Sequence, residues 1–348
     1  MPSVKSKARW LLPLAVGATL LATACSSSSK STATTSAPAT SAAPGTSGAP
    51  TTKALKVALI LPSAKNDLSF SQSMYQALEG LKGKFNLQIA VTDNAFVVAD
   101  AANAIRQYAA EGYNLVIAHG SQYGSTLQQL APQFPKVSFA WGTAGSTFNE
   151  PNIFAYQIAA NEGAYVQGYV AAMLSKSHVI GEIGPINVGD GQLYADGFKA
   201  GALAADPKAS VRVTFTGSFS DVSLMANAAK AYIAGGADML TGSAQAVVGA
   251  IGVAKSSNVA WFGNDADQAS LAPQQVVSSN VYDWTGILTQ MLTAIDNGTL
   301  GGASYTATLG NGGMKVVFNP SYPLPDTVKA QAQKLIDQIT SGALSVAQ

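Results

Sequence analysis

Short apolar segments rich in branched residues alternate with helical segments along this chain, and this alternation is the strongest constraint on its fold. The first apolar segment, Val57 to Leu61, predicts a buried strand. A polar, turn-forming run from Pro62 to Leu68 follows it, and Met74, Leu78 and Leu81 then form the inward stripe of a helix. Strand, loop and helix in this order open an α/β sheet, and their repetition favours parallel strands with right-handed crossovers.

The same pattern continues toward the C-terminal end. Further strands are predicted at Leu87 to Val91, Leu115 to Ala118, Val137 to Trp141, Ile153 to Tyr156, Val179 to Ile183, Val211 to Thr216, Asp238 to Thr241, Val259 to Phe262 and Val276 to Val281. Helical segments separate most of them, including Asp100 to Ala110, Glu162 to Leu174 and Trp284 to Ile295. Ser304 to Phe318 predicts two strands around a glycine-rich turn, and Asp326 to Ser341 predicts a final helix.

One internal match indicates that the α/β unit is repeated. Tyr108 to Leu115 reads like Tyr232 to Met239, since each contains a helix end, a glycine-containing stop and the start of a strand. Chance similarity of two such junctions is the alternative explanation. Two related lobes explain the match better, and they predict a ligand cleft between facing strand ends.

The 348-residue length is sufficient for two domains with full cores. We expect one lobe from residues 53–157 together with 283–303, and a second lobe from residues 158–282. The lobe to which residues 304–348 belong is left open.

The N-terminal sequence has the proportions of a signal peptide over residues 1–24. Lys5, Lys7 and Arg9 precede an apolar segment that is too short to span a bilayer stably. The segment Leu21-Ala22-Thr23-Ala24-Cys25 resembles the lipobox of bacterial lipoproteins, which implies lipidation of Cys25. The alternative is an ordinary secretory signal followed by a free cysteine. Because Cys25 is the only cysteine of the chain, the lipid anchor is favoured.

Residues 25–52 consist almost entirely of Ser, Thr, Ala, Pro and Gly. A segment of this composition has too little apolar surface to bury and predicts a disordered tether. We therefore expect folding to start near Lys53, with the folded part held on the extracytoplasmic face of the cell membrane.

The composition argues against several functions. A net charge of +1 with 11% charged residues leaves no basic surface for nucleic acid. Two histidines and one cysteine are too few for an ordinary zinc site. No phosphate-binding, dinucleotide-binding, metalloprotease or serine-hydrolase motif is present, so we expect neither a cofactor nor catalysis. Asp265 and Asp267 have the spacing of an acid/base pair, but only one should face a cleft because alternate residues of an extended segment point opposite ways.

Polar and aromatic residues stand where the predicted strands end, which is where α/β sheets bind ligands. Aromatic rings there can stack on a flat ligand, and carboxylates and amides can bond its edges. For His119, a hydrogen-bonding or packing role is favoured over that of a base. The candidate ligand-binding residues are Asn66, Asp67, Phe70, Ser71, Gln72, His119, Trp141, Phe219, Gln245 and Asp265.

Four ordered motifs resemble the basic membrane lipoprotein family, the purine-nucleoside-binding components of ABC importers. They are Asp67 to Gln72, Asn161 to Tyr169, Gly217 to Asp221 and Asp265 to Gln268. The resemblance implies a type I periplasmic-binding-protein fold, with two Rossmann-like α/β lobes joined by three crossing segments. It also implies that Phe70 and Phe219 flank the base and that Asp265 bonds the nucleoside.

The chain departs from the family pattern at polar positions. Ser71 stands where the family has asparagine, Tyr282 where it has lysine, and Trp141 near a frequent aspartate; the aspartate usual after the first strand is absent near Pro62-Ser63. A site built to bond particular groups rejects ligands that lack them, so these changes bear on the ligand.

From the resemblance and the N-terminal sequence together, we expect a lipid-anchored solute-binding protein, monomeric, that captures a nucleoside-type molecule and docks on an ABC permease. No bond is made or broken in this function. One alternative is a binding protein for a sugar or another small polar metabolite. A second is a ligand sensor that docks on a membrane receptor, and a nucleoside hydrolase is the least favoured.

Overall fold

The computed structural model describes residues 54–347, and within them the chain forms twelve strands, ten α-helices and two short 3₁₀ helices. The predicted signal peptide, the lipidation of Cys25 and the tether lie outside the described residues. The strands are β1 (Leu55–Ile60), β2 (Leu87–Thr92), β3 (Leu115–Ala118), β4 (Ser138–Gly142), β5 (Ile153–Ile158), β6 (Val179–Gly184), β7 (Ser210–Phe215), β8 (Met239–Gly242), β9 (Ala260–Asp265), β10 (Val276–Tyr282), β11 (Ser304–Ala307) and β12 (Met314–Phe318).

The α-helices lie between these strands, except for the last, which follows β12, in the alternation that the sequence predicts. They are α1 (Phe70–Gly80), α2 (Lys82–Phe85), α3 (Val98–Ala110), α4 (Gly124–Leu130), α5 (Ala160–Leu174), α6 (Gly189–Ala205), α7 (Val222–Ala234), α8 (Val248–Ser257), α9 (Thr285–Asp296) and α10 (Asp326–Thr340). Only α2 has no counterpart in the prediction, because its four residues are too few to show an apolar period.

Two six-stranded sheets form the cores of two α/β lobes. The first sheet has the order β11-β5-β4-β3-β1-β2 and the second has the order β12-β10-β9-β8-β6-β7. Read from β2 and from β7, the two orders match strand for strand. The repeated segments ending at β3 and β8 therefore occupy equivalent positions, which explains their similar sequences. One difference is the sixth strand, since β11 pairs parallel with β5 whereas β12 pairs antiparallel with β10.

The C-terminal segment is divided between the lobes. Strand β11 belongs to the first sheet and β12 to the second, while α10 packs against α5 of the second lobe. The chain crosses between the lobes after β5, after β10 and between β11 and β12, since α9 packs against α1 and β11 of the first lobe. Three crossings are what the family resemblance implies. The predicted domain boundaries at residues 157/158 and 282/283 remain predictions.

Helices α5 and α6 make the closest helix contact of the second lobe, and glycine makes it possible. A Cβ atom at Gly168 would lie 1.9 Å from the carbonyl oxygen of Phe198, and one at Gly201 would lie 1.9 Å from that of Tyr165. Larger side chains would have to push the backbones apart. Gly168 lies in the Asn161 to Tyr169 motif, so part of that motif serves packing.

Within residues 54–347, none of the helices has the length and apolar character needed to cross a bilayer. The same residues contain no group of three or more histidine, cysteine or acidic side chains placed to hold a metal ion.

Candidate ligand-binding site

A cavity of about 670 Å³, measured with its opening to solvent, lies where the carboxyl ends of the strands of the two lobes face each other. From the first lobe it is lined by Pro62, Phe70, Phe96, Gly120, Ser121, Gln122 and Thr143. From the second lobe it is lined by Pro185, Ile186, Val188, Gly189, Asp190, Gly191, Phe219, Ser243, Ala244, Gln245, Asn264, Asp265 and Tyr282. Of the predicted residues, the structure brings together Phe70, Phe219, Gln245 and Asp265 in this lining.

The ring of Phe70 is held in place by buried groups behind it. It stacks on His119, with ring centroids 3.8 Å apart and planes 9° apart, and meets the Trp284 ring edge-on at 6.1 Å. Trp284 is itself fixed by donating its Nε1–H to Ser73 Oγ at 2.9 Å. The first lobe thus presents one flat, rigid aromatic face to the cavity.

His119 supports Phe70 from a fully buried position and does not line the cavity. Burial lowers the pKa of His119 to about 3, so its ring is neutral. Its Nε2 lies 3.2 Å from the Phe70 carbonyl oxygen, which can only accept, so Nε2 carries the proton. The other nitrogen, Nδ1, then accepts from the Tyr156 hydroxyl at 2.8 Å. Both ring nitrogens are engaged within the protein, in agreement with the packing role favoured from the sequence.

Asp67 holds together the loop that leads into α1. Its carboxylate accepts backbone N–H bonds from Ser69 at 2.9 Å, Ser71 at 3.2 Å and Gln72 at 3.0 Å, and the Ser63 hydroxyl also donates to it. A carboxylate satisfies the free N–H groups at a helix start in this way. Asp67 does not belong to the cavity lining.

The other predicted residues also lie outside the lining. Asn66 is exposed on the loop, the Ser71 hydroxyl lies 2.9 Å from that of Ser63, and the Gln72 amide oxygen accepts from the Leu68 N–H at 3.1 Å. Trp141 stacks on Phe148 with centroids 4.6 Å apart. Its ring also fills the space in which a Cβ atom of Gly124 would lie. Ligand contact by these residues stays a prediction without support from their positions.

Asp265 ends β9 in the cavity with a left-handed backbone, φ 70°. Its Oδ2 accepts from the Ser69 hydroxyl at 2.5 Å, which is a bond between the two lobes, and its Oδ1 accepts from Asn264 Nδ2 at 2.9 Å. Burial raises the pKa of Asp265 to about 7, although the Ser69 bond opposes this. Asp267 is exposed and accepts from the Ala269 N–H, so only Asp265 of the two acids lines the cavity.

Phe219 reaches the cavity from the loop after β7. Its carbonyl oxygen accepts from the Ala246 N–H at 3.0 Å, and Asp221 caps α7 directly after it by accepting from Ser223 and Leu224 N–H. The Phe219 ring faces Phe96 of the first lobe with centroids 5.8 Å apart. Phe96 was missed from the sequence, although it follows β2 and the strand-end rule applies to it as well.

Several further polar residues of the lining were also missed. The buried atoms Thr143 Oγ1, Asp190 Oδ2, Ser243 Oγ and Gln245 Oε1 have no hydrogen-bond partner, and of these only Gln245 was among the candidates. Leaving such an atom unbonded costs about 1–3 kcal/mol, so these atoms are suited to bonding a ligand. Asp190 follows β6 within Gly189-Asp190-Gly191, and its position after a strand was the available signal.

The family model described as "ABC transporter substrate-binding protein PnrA-like" matches residues 54–347. A protein of Brucella abortus (strain 2308) named as a purine-binding protein is 29% identical over 293 residues, covering 84% of this chain and 82% of that protein. Basic membrane protein A of Borreliella afzelii is 27% identical over 295 residues, covering 82% of this chain and 88% of that protein.

Among solved structures, an ABC transporter solute-binding protein from Conexibacter woesei DSM 14684 superposes with a TM-score of 0.70. It is 26% identical, and the match covers 84% of this chain and 98% of that one. Together with the two matching sheets, this likeness confirms the predicted two-lobed type I fold.

Proposed function

Because this chain belongs to the PnrA-like family of ABC transporter substrate-binding proteins, we propose that it captures a purine nucleoside between its two lobes and delivers it to a membrane permease. Binding of a small solute follows from the family. The nucleoside, the import role and the lipid anchor are the parts that we propose.

One observation carries the proposal. Phe70 of the first lobe and Phe219 of the second line one cavity, and Asp265 lies in the same lining. Two aromatic rings from opposite sides suit a flat heterocycle, and a buried carboxylate suits the N–H or O–H groups at its edge. The purine named for the Brucella abortus relative supports the same class of ligand.

The bond between Ser69 and Asp265 suggests how capture is coupled to closure. It joins the loop before α1 to the end of β9 across the cavity, next to the Phe70 platform. A ligand held by groups of both lobes stabilises the form in which the lobes are closed, and a permease can recognise that form. Binding requires no chemical step, and none of the lining residues is assigned one.

Titration calorimetry with adenosine, guanosine and inosine tests the ligand. We expect binding of at least one nucleoside, weakened about 10- to 100-fold in Phe219→Ala and in Asp265→Ala. Asp267→Ala is the matched control, because this second acid of the motif is exposed, and it should bind as the wild type does. Heat with sugars but not with any nucleoside would instead support the sugar-binding alternative.

The anchor and the location are tested separately. We propose that Cys25 carries a lipid that holds the protein outside the cytoplasm at the membrane. Fractionation of cells should then recover the wild type with membranes and a Cys25→Ser variant in the soluble fraction. Equal recovery of both with membranes would contradict lipidation at this cysteine.

A further inference from the structure

The cavity lining contains acidic side chains but no basic one. Among the lining residues of the described chain, Asp190 and Asp265 are the ionisable acids, and there is no lysine, arginine or histidine. The two acids differ in their bonding. Both oxygens of Asp265 are bonded within the protein, whereas Asp190 Oδ2 is shielded from solvent and has no partner.

Asp190 is placed by the turn that starts α6. It stands between Gly189, which has φ 58°, and Gly191, so the chain enters the helix there with little side-chain bulk. The start of a helix favours a negative charge, which supports the ionised form of this carboxyl against its burial. The carboxyl is therefore a fixed acceptor toward the cavity once it is ionised.

A second unbonded acceptor lies on the neighbouring loop. Strands β6 and β8 are paired, so the segments that follow them leave the sheet side by side, one leading to Asp190 at the start of α6 and the other to Gln245 in the loop before α8. Gln245 Oε1 is buried without a partner and Gln245 lines the same cavity. An amino group offers two hydrogens, whereas a hydroxyl offers one, so two unbonded acceptors in one lining fit an amine better.

This inference rests on the proposed nucleoside ligand. We propose that Asp190 and Gln245 each accept a hydrogen bond from one of the two N–H groups of an exocyclic amine. The cavity thereby selects amino-substituted purine nucleosides over inosine. Asp190 is thus a specificity-determining residue that binds the ligand directly. Where adenosine has its amine, inosine presents a carbonyl oxygen, which an ionised carboxylate repels because neither group has a hydrogen to share. Where guanosine has its amine, inosine presents only a C–H, which leaves the two acceptors without a partner.

The selection should depend on pH. Burial raises the pKa of Asp190 to about 8, with the charge of Asp265 adding to the effect. When protonated, Asp190 can donate to a carbonyl and discrimination is lost; when ionised, it accepts only. The other titratable groups that face it are Asp265, Tyr156 and Tyr282, and burial raises the pKa of both phenols well above the usual range, so they stay neutral.

The experiment measures the affinities of adenosine, guanosine and inosine for the full chain by calorimetry at about pH 6 and about pH 8.5, on either side of the Asp190 pKa. At the higher pH we expect the wild type to bind an amino-substituted nucleoside at least ~10-fold more tightly than inosine. The ratio should shrink at the lower pH. In Asp190→Asn the affinities for the amino-substituted nucleoside and for inosine should differ by no more than about twofold at both pH values, since an amide can donate or accept.

Asp196→Asn is the control, because Asp196 is an exposed acid on the same helix, outside the lining, and it should behave as the wild type. If Asp190→Asn does not fold, judged by its thermal unfolding, Asp190→Ser takes its place. Two results overturn the inference while the nucleoside proposal stands. One is that the Asp190 variant keeps the wild-type ratio of the affinities for the amino-substituted nucleoside and for inosine. The other is that the wild type binds the two with equal affinity at the higher pH. No binding of any nucleoside overturns both.

Discussion

The two lobes have matching sheets, yet they treat the polar residues at the cavity in opposite ways. In the first lobe, Asp67 and His119 lie outside the lining and are bonded to groups of their own lobe. In the second lobe, Asp190, Ser243 and Gln245 keep buried atoms without partners in the cavity lining. Thr143 Oγ1 is the one lining atom of the described first lobe that shares this property.

This difference assigns different tasks to equivalent strand ends. The first lobe uses its polar groups to make a rigid aromatic wall, which lowers the entropy lost when a ligand is ordered against it. The second lobe keeps its polar groups available, and under the proposed function we expect it to set the selectivity for the ligand. Substitution of the unbonded lining residues of the second lobe should therefore change ligand choice, in addition to any effect on stability.

The largest expected effect is that the buried titratable groups of the two lobes contribute to the free energy of unfolding with opposite pH dependence. Asp190 and Asp265 have pKa values raised to about 8 and about 7, so their neutral forms stabilise the fold at low pH. That contribution is lost as the pH rises from about 4 to about 8, because in this range the two acids are already ionised in the unfolded chain but not yet in the folded one. His119 has its pKa lowered to about 3, so its contribution is present above about pH 6.5 and is lost as the pH falls.

Urea unfolding as a function of pH tests this. Relative to the wild type, Asp190→Asn should gain several kcal/mol of unfolding free energy between about pH 4 and about pH 8. His119→Gln should instead have a lower free energy of unfolding than the wild type at neutral pH. This difference should shrink as the pH falls from about 6.5 to about 3, because the wild type loses the contribution of His119 over that range. Parallel pH profiles for both variants would contradict the assignment of opposite signs.

The next effect in size concerns the loop of the first lobe. Asp67→Ala removes an acceptor shared by three backbone N–H groups and the Ser63 hydroxyl. We expect the free energy of unfolding to fall by about 2–3 kcal/mol, since bonds to charged groups are the stronger ones. Asn66→Ala on the same loop is exposed and should change it by less than about 0.5 kcal/mol. A loss equal to that of the control would mean that Asp67 does not hold the loop.

A smaller effect separates unbonded atoms that serve a ligand from those that do not. Glu182 on β6 is fully buried, neither carboxyl oxygen has a partner, and it is absent from the cavity lining. Burial raises its pKa well above the usual range. Glu182→Leu should raise the free energy of unfolding by about 1 kcal/mol or more at neutral pH while ligand affinity stays unchanged. A loss of affinity would place Glu182 in the function of the cavity after all.

The sequence predicted the strands, most helices and the two lobes, because apolar periodicity reports burial residue by residue. It also predicted Phe70, Phe219, Gln245 and Asp265, since each follows a predicted strand and the strand-end rule needs no tertiary information. The same rule selected His119 and Trp141, which the structure places behind the lining. Position along the chain locates a loop, but it does not say toward which side of the loop a side chain turns.

The amino-acid sequence by itself thus determined which segments form the sheets and which loops gather between them. Only the tertiary structure decided whether a polar side chain in those loops is bonded within the protein or left for a ligand. The reason is physical: the partners that decide it are distant in the chain, as with Ser69 and Asp265, 196 residues apart, or His119 and Tyr156, 37 apart. Asp190 is available to a ligand because folding brings it no such partner for Oδ2 among the described residues.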